Sequence, residues 1–333
     1  MTDKYLLIGD LHLTEKPRDA YRFDIFKWIR KQQREFEPKA TIFMGDLTDK
    51  VDKHPAVLVN RVVNELQELE KFYIVMGNHD YVDSNNPFFM FLGPSFIHEP
   101  TQINRLLFIP HTYNEDQFAQ TCKSFSSKSV PAIDYVFCHQ TFDGAIAETG
   151  TRLNGFRPSH IDVIAPRLGA YAGDVHRPQR AANVVYVGSP YHIRFGDDFD
   201  PRCILLDDGH PKNLYFETVH KWSLTIKDPD DILKNKQLYE GDQVKLTVEL
   251  AKEETFEWQK IRRDILEATK TRKLEVFGID LKVNSATPRE TKLRKVDRVN
   301  PDKIYSAFCS KENLPSNTRR VGRDLLACST SDT

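Results

Sequence analysis

The chain has 333 residues, of which 40% are hydrophobic and 29% are charged, and its formal net charge is −1. This composition is ordinary for a globular protein, and the length suffices for one large domain and a smaller one. No apolar stretch is long enough to cross a membrane, which excludes a membrane-spanning protein. The global charge gives no support to nucleic-acid binding, so any such surface has to be local.

The cysteines and the N-terminus predict the cellular compartment. The chain has five cysteines, an odd number, and no two of them form a CxxC pair. This pattern argues against a disulfide framework or a structural zinc site and favours a reducing compartment. The apolar run Tyr5–Ile8 begins close to the N-terminus, so we predict that no signal peptide is present. We therefore expect a cytoplasmic protein.

Strands and helices alternate in the first part of the chain, and strands dominate after it. Amphipathic helices are predicted at residues 18–37 and from Pro55 onward. Apolar runs typical of strands lie at residues 5–8, 41–44, 72–76, 106–109, 135–138, 171–172, 184–187 and 203–206. This order predicts an α/β domain of residues 1–215 with two sheets between layers of helices.

The pattern changes near Trp222. A strand at 244–250, a helix at 254–270 and a returning strand at 274–283 predict a small βαβ-like module within residues 216–285. The tail, residues 286–333, holds ten Lys or Arg against six Asp or Glu. Such a tail is usually a solvated surface, and its candidate function is to dock a partner.

Five short polar motifs each follow an apolar strand. They are Asp10-Leu11-His12, Gly45-Asp46-Leu47-Thr48-Asp49, Gly77-Asn78-His79-Asp80, the single residue His139, and Asp174-Val175-His176. Each motif alone is more often a polar turn, a helix cap or a core histidine. Ligand sites of α/β sheets lie outside the carboxyl ends of the strands, so the ordered set of motifs favours one shared site.

The motifs supply seven candidate metal ligands, too many for one ion and about right for two. These candidates are Asp10, His12, Asp46, Asn78, His139, Asp174 and His176. Carboxylate, imidazole and amide donors suit manganese, iron or zinc. Two ions about 3.5–4 Å apart can clamp the attacking and leaving oxygens of a phosphoester.

With these motifs, residues 5 to about 206 resemble the calcineurin-like metallophosphoesterases. Within that superfamily the chain looks most like the nuclease subunit of SbcCD-type DNA repair complexes, including bacteriophage recombination nucleases. The features that carry this finer resemblance are Gly173–Gln179, Val187-Gly188-Ser189-Pro190, the small module and the charged tail. The resemblance implies a four-layer sandwich with a small α+β capping domain and a C-terminal tail.

The resemblance also implies a role for each motif residue. One divalent ion would be held by Asp10, His12, Asp46 and His176, and the other by Asp46, Asn78, His139 and Asp174. Asp46 would bridge the two ions, and His79 would face the phosphate and assist proton transfer or charge stabilisation. By default Asp49 is assigned a structural role.

Asp174 departs from the family, which usually has a histidine at this position. A carboxylate makes the second site richer in oxygen, which favours manganese or magnesium over zinc. We therefore expect two divalent ions, manganese first and magnesium as the alternative. Two further residues are candidates for substrate contacts: Arg177, which follows His176, and His192.

The predicted function is that of a two-metal DNA nuclease, either exonuclease or endonuclease, in repair or recombination. Water attacks phosphorus and the 3′ oxygen leaves. The expected partners are DNA and an SbcC-like ABC-type ATPase docked through the tail, and a homodimer is compatible with the resemblance. A phage-encoded protein would act in the host cytoplasm. The alternatives are a phosphatase or phosphodiesterase acting on small molecules or phosphoproteins, and a non-catalytic scaffold. The small module and tail favour the nuclease.

Overall fold

The computed structural model describes residues 3–51, 53–83, 86–126 and 132–284. Among the described residues, those up to Leu250 and Glu254–Lys282 form one compact unit, whereas Ala251–Glu253 and residues 283–284 belong to a second. The tail from residue 286, predicted to dock a partner, lies outside the described residues.

The described chain contains short strands with helices between them. The strands are β1 (Lys4–Ile8), β2 (Ala40–Phe43), β3 (Phe72–Val75), β4 (Phe96–Ile97), β5 (Thr101–Ile103), β6 (Leu106–Ile109), β7 (Tyr135–His139), β8 (Gly169–Gly173), β9 (Gln179–Ala181), β10 (Val184–Tyr186), β11 (Cys203–Asp207), β12 (His210–Leu214), β13 (Lys221–Ile226), β14 (Gln243–Ala251) and β15 (Glu275–Asn284). The α-helices are α1 (Asp24–Phe36), α2 (Ala56–Gln67), α3 (Glu115–Ser124), α4 (Ser159–Asp162), α5 (Asp230–Leu233) and α6 (Trp258–Thr271). Turns of 3₁₀ helix cover Pro17–Phe23, Phe89–Ser95 and Lys252–Glu257.

Two six-stranded sheets form the main body. The first has the order β12-β11-β1-β2-β3-β4, and the second has the order β5-β6-β7-β8-β10-β9. Strands β1 to β4 pair in parallel, as do β6, β7, β8 and β10. The carboxyl ends of the central strands therefore lie at one edge of each sheet.

Three apolar clusters divide the body into four layers. Alternate residues of β1 enter different clusters, because successive side chains of a strand point to opposite faces. Leu6 packs in one cluster with Ile25 of α1 and Val62 of α2, so these helices cover the first sheet. Leu7 belongs to the cluster between the sheets, together with Phe137 of β7.

The third cluster lies on the outer face of the second sheet. It joins Val136 of β7 to Phe118 of α3 and Ile161 of α4. The order is thus helix, sheet, sheet, helix. The predicted α/β fold with two sheets between helices is confirmed.

The helix predicted at residues 18–37 is divided in two. Pro17–Phe23 is 3₁₀ helix, and α1 starts at Asp24 and ends before Glu37, whose φ of 48° is left-handed. Asp19 and Arg22 of the 3₁₀ segment are both buried, 3.5 Å apart. The 3₁₀ segment therefore carries a buried ion pair that a regular amphipathic pattern does not predict.

The third sheet has the order β13-β14-β15, with β13 parallel to β14. Its strand β13 was not predicted. Val248 of β14 packs with Ile265 of α6 in a separate apolar cluster. The Lys221 ammonium of β13 donates to the carboxylate of Asp19 at 2.9 Å, both buried. Among the described residues, no helix has the length and apolar character that a membrane crossing requires.

Candidate metal centre

The structure brings all seven predicted ligands together. They follow β1, β2 and β3 of the first sheet and β7 and β8 of the second, or lie at the end of these strands. Direct contacts link them in a chain, from the His12–His176 pair through Asp46 to His139, and from His139 to Asp10, Asn78 and Asp174. The parallel strands of the two sheets thus place residues far apart in sequence at one site.

Asp46 is the centre of this cluster. Its Oδ2 lies 3.5 Å from Nε2 of His12, and its Oδ1 lies 3.5 Å from Nε2 of His139. Burial, together with the nearby carboxylates of Asp80 and Asp10, raises the pKa of Asp46 well above its usual range, although His139 opposes this effect. The two carboxylate oxygens therefore face two different histidines, as a carboxylate shared between two sites would.

His139 is completely buried at the end of β7. Its Nδ1 donates to the carbonyl of Met44 at 2.6 Å, and its Nε2 lies 3.1 Å from Oδ1 of Asn78. Burial lowers the pKa of His139, but the carboxylates of Asp46, Asp10 and Asp174 outweigh burial and raise it to about 9. The imidazole is thus held among negative charges that also attract a metal cation.

His12 and His176 form the other side of the cluster. Their Nε2 atoms lie 2.9 Å apart, and both residues are buried. Burial, followed by the repulsion of His176 and His79, lowers the pKa of His12 well below its usual value. His12 is therefore neutral at physiological pH, the form in which imidazole binds metals.

Asp174 points toward the same cluster. Its Oδ1 lies 3.8 Å from Nε2 of His139, and its Oδ2 accepts a short hydrogen bond from the Thr141 hydroxyl. Its backbone N–H donates to Oδ1 of Asp10 at 3.0 Å. Thr141 thus orients the carboxylate that replaces the family's usual histidine.

The backbone is left-handed at three predicted ligands, with φ values of 42° at His12, 52° at Asp46 and 80° at Asp174. This conformation is unfavourable for residues with a side chain and persists where surrounding contacts impose it. The N–H of His12 donates to the carbonyl of Asp46 at 2.9 Å, and the buried Arg22 guanidinium donates to the carbonyl of His12. The tertiary contacts therefore hold the ligands in strained positions.

Two glycines let the strand ends approach the ligands closely. A Cβ on Gly77 would lie 2.1 Å from Oδ1 of Asp46, and one on Gly173 would lie 2.3 Å from the carbonyl oxygen of Met44. Neither distance is compatible with a side chain. These glycines are therefore required by space at the centre.

The donor set fits divalent cations. Two groups of side chains have ligand atoms within 4.8 Å of one another: His12, Asp46 and His79, and Asp10, Asp46 and His139. Oδ2 of Asp10 is buried and has no hydrogen-bond partner among the described residues, and buried carboxylates are stable only when paired or bound to metal. Asp46 belongs to both groups.

The grouping differs from the predicted one in two respects. Asp10 belongs to the same ligand group as His139 and not to the group of His12, because Oδ1 of Asp10 lies 3.5 Å from Nδ1 of His139. His79 stands with His12, their ring centroids 4.7 Å apart. The division of the ligands between two ions remains a prediction.

Residues 4–157 match the family model of the calcineurin-like phosphoesterases. The matched segment includes four of the five motifs and ends before Asp174 and His176. No curated protein matches the chain. The match supports a relationship of this chain to the calcineurin-like phosphoesterase superfamily, which the motifs also indicated. Together with the ligand groups, it indicates metal-dependent hydrolysis of phosphoesters.

Within the matched segment, Asp80 connects two loops of the centre. Its buried carboxylate accepts hydrogen bonds from the N–H groups of Asp46 at 2.9 Å, Leu47 at 3.0 Å and Gly77 at 2.8 Å. The loops that follow β2 and β3 are therefore held in register by one side chain. Asp80 belongs to the predicted motif, but its supporting role was not predicted.

Two other supporting residues lie outside every motif. The carboxylate of Glu148 accepts from the backbone N–H of His176 at 3.1 Å and lies 3.2 Å from Nδ1 of His176, so it helps to fix the position of this histidine. The second is Arg22, which bonds the carbonyls of His12 and, at 3.0 Å, Ile193. Neither residue stands at a strand end, so no local sequence signal points to it.

The two predicted substrate contacts differ in their surroundings. Arg177 lines an open groove of about 760 Å³. His192 lines the same groove, but it is 4% exposed, its Nε2 donates to the carbonyl of Phe199 at 3.0 Å, and its Nδ1 accepts from the N–H of Lys221 at 3.3 Å. His192 therefore has no free ring nitrogen for a substrate, and these contacts are those of a packed core histidine.

Proposed function

We propose that this protein is a two-metal-dependent DNA nuclease of the SbcD type. The observation that carries the proposal is the position of Asp46, whose two oxygens each lie 3.5 Å from a different histidine, His12 and His139. One buried carboxylate is thus shared by two ligand groups. Two ions held by the predicted ligands on either side of Asp46 would stabilise the developing negative charge on the phosphate and lower the pKa of an attacking water.

The position of His79 supports a role in the chemistry. Its Nδ1 donates to the carbonyl of Asp49 at 2.7 Å, and a carbonyl can only accept, so Nδ1 carries a proton. Nε2 is then the atom that can exchange a proton or a hydrogen bond with the phosphate. His79 is half-buried, whereas the neighbouring His12 and Asp46 are buried, so His79 can reach a substrate.

The groove lined by Arg177 supports a substrate larger than a single phosphate. Tyr215 and Tyr239 line this groove and are 60% and 64% exposed, and Trp222 lies beside them, half-buried. Exposed aromatic rings are the surfaces on which proteins stack unpaired bases. The third sheet contributes Trp222, so the module that follows the phosphoesterase domain would contact the DNA.

The proposed partner is an SbcC-like ATPase bound by residues 286–333. The excess of Lys and Arg in this segment supports docking on an acidic surface.

The proposed boundaries of the nuclease domain and the small module are 1–215 and 216–285, and the proposed compartment is the cytoplasm. Deletion of 286–333 should abolish pull-down of the ATPase and leave manganese-dependent cleavage of short single-stranded DNA intact.

The decisive experiment compares substrates in the presence of manganese and magnesium. The purified full-length protein is incubated with labelled double-stranded and single-stranded DNA, with bis(p-nitrophenyl) phosphate and with p-nitrophenyl phosphate. We expect cleavage of DNA and of the diester, stronger with manganese. Asp46→Asn should abolish both activities, whereas Asp143→Ala, which removes an exposed carboxylate, should leave them unchanged.

The same comparison separates the nuclease from its alternative. Rapid hydrolysis of p-nitrophenyl phosphate without DNA cleavage would replace the nuclease by a phosphatase. Hydrolysis at the wild-type rate in Asp46→Asn would contradict the proposal that Asp46 is a ligand shared by both ions. Loss of activity in Asp143→Ala would show that the assay reports general damage to the fold.

A further inference from the structure

Tyr113 presents an exposed aromatic ring beside the metal centre. It follows β6, at the edge of the second sheet where His139 and Asp174 also lie, and it is 68% exposed. The ring of His111, against which Tyr113 packs, has its centroid 6.0 Å from that of His139, so a single ring separates Tyr113 from a predicted ligand.

The Tyr113 ring rests on a buried histidine that is itself held by hydrogen bonds. Tyr113 packs edge-on against the ring of His111, with centroids 4.5 Å apart and an interplanar angle of 84°. His111 is 8% exposed, its N–H donates to the carbonyl of Met76 at 2.9 Å, and its carbonyl accepts from the Tyr81 hydroxyl at 3.1 Å. His111 is thus hydrogen-bonded to the end of the strand that leads into Gly77 and Asn78.

The residues on either side of Tyr113 are also fixed. The Thr112 hydroxyl accepts from the N–H of Asn114 at 3.2 Å, and the Asn114 side chain caps α3 by accepting from the N–H of Gln117 at 3.0 Å. The backbone that carries the exposed ring therefore has little freedom. Tyr113 lines a pocket of about 400 Å³ together with Tyr81 and His111.

We infer that Tyr113 is a positioning residue whose ring stacks on the nucleobase next to the scissile phosphate. This inference rests on the proposed nuclease function and adds to it a contact with a base. A flat, exposed and rigidly held aromatic ring next to a phosphate site suits a base, because every base has a π-face. Stacking requires the ring and not its hydroxyl, so Tyr113→Phe should preserve the effect.

The test compares two esters that differ only in the base. Thymidine 5′-(p-nitrophenyl phosphate) and its abasic 1,2-dideoxyribose counterpart share the leaving group and the sugar, and the 3′ isomers form a second pair. With manganese, the wild type should hydrolyse the thymidine member of one pair with a kcat/KM about tenfold higher. Tyr113→Ala should abolish this preference, and Tyr113→Phe should keep it.

Phe256→Ala is the matched control, because Phe256 is an aromatic residue with 82% exposure outside both pockets. It should retain the wild-type preference. A general loss of folding lowers the rates for both esters and leaves their ratio unchanged, so the ratio reports stacking alone. An unchanged ratio in Tyr113→Ala would overturn the inference.

Parallel assays with labelled DNA separate the inference from the proposed function. DNA cleavage by a wild type that hydrolyses the members of each pair equally would overturn base stacking and leave the nuclease intact. A preference for thymidine that depends on Tyr113, without any DNA cleavage, would overturn the DNA substrate and leave the base contact intact.

Discussion

Removal of the Asp80 carboxylate should loosen the metal centre without removing a ligand. The side chain accepts three backbone hydrogen bonds, from Asp46, Leu47 and Gly77, and it is fully buried. In Asp80→Ala all three N–H groups lose their partner in the interior. The loops after β2 and β3 would then be free to separate.

The cost follows from these three bonds. A hydrogen bond to a charged group contributes about 1.5–3 kcal/mol, and an orphaned buried donor costs about 1–3 kcal/mol. Because water can enter the vacated space, we set the total below the full sum, at about 4 kcal/mol. An unfolding entropy of about 2.1 cal/mol/K per residue over 333 residues converts this into a fall in Tm of roughly 6 °C.

Asp80→Asn refines the estimate. Oδ2 accepts from Asp46 and Gly77, whereas Oδ1 accepts only from Leu47. An amide can place its single oxygen at the two-donor side, so the loss should be about half as large, roughly 3 °C. Asp143→Ala is the control, because its exposed carboxylate accepts one hydrogen bond, from Gly155 at 2.8 Å, and its removal should shift Tm by less than about 1 °C.

Thermal unfolding of the metal-free proteins measures these shifts, and calorimetric titration with manganese measures the second effect. Manganese should bind Asp80→Ala more weakly than wild type, since the position of Asp46 is no longer fixed, and Asp143→Ala should bind it normally. If Asp80→Ala melts within 2 °C of wild type, the three bonds do not carry the energy assigned to them, and the reasoning fails.

Four further outcomes test the centre itself. His79→Ala should lower turnover by about two orders of magnitude or more with normal metal content; loss of both metals, measured by elemental analysis, would refute its role. Asp46→Ala should lose both ions and all activity, and full occupancy of either site would disprove the bridge. Asp174→Ala should lose the second ion and most activity, whereas Asp174→His should stay active and shift its preference toward softer metals; a manganese-soaked crystal with Asp174 turned away from a full site would exclude ligation. The pKa of His139 rises from 6.5 to about 9 on folding, so in the metal-free protein its stabilisation is complete below pH 6.5 and is lost as pH rises through 9, by about 3 kcal/mol. Urea denaturation at pH 7 and pH 10 should show this loss in wild type relative to His139→Gln, and an equal pH dependence of the two proteins would contradict it.

The main body was predictable because each polar motif follows an apolar run. The runs ending before Asp10, Asp46 and Asn78 become β1, β2 and β3, whose carboxyl ends lie together because the strands pair in parallel. The proline signal for a helix start was also correct, since Pro55 is the N-cap of α2. These signals are local, and a single sequence contains them.

The supporting residues depend instead on contacts between distant segments. Glu148 reaches His176 from a loop without any motif, and Arg22 reaches His12 from a 3₁₀ segment whose ion pair interrupts the expected helix. Strand β13 escaped prediction because its burial alternates only partly, and its pairing with β14 and the Lys221–Asp19 pair are tertiary features. These contacts form only in the folded chain, so a local sequence pattern does not predict them.

The spacing of the ligands along the chain has a consequence for biosynthesis. The centre draws on residues from Asp10 to His176, and β1 pairs with β11, which ends at Asp207. A ribosome releases the chain from its N-terminus, so no nascent fragment shorter than this span contains a complete set of ligands on a finished sheet. A metal centre organised in this way cannot be completed until most of the chain has been synthesised.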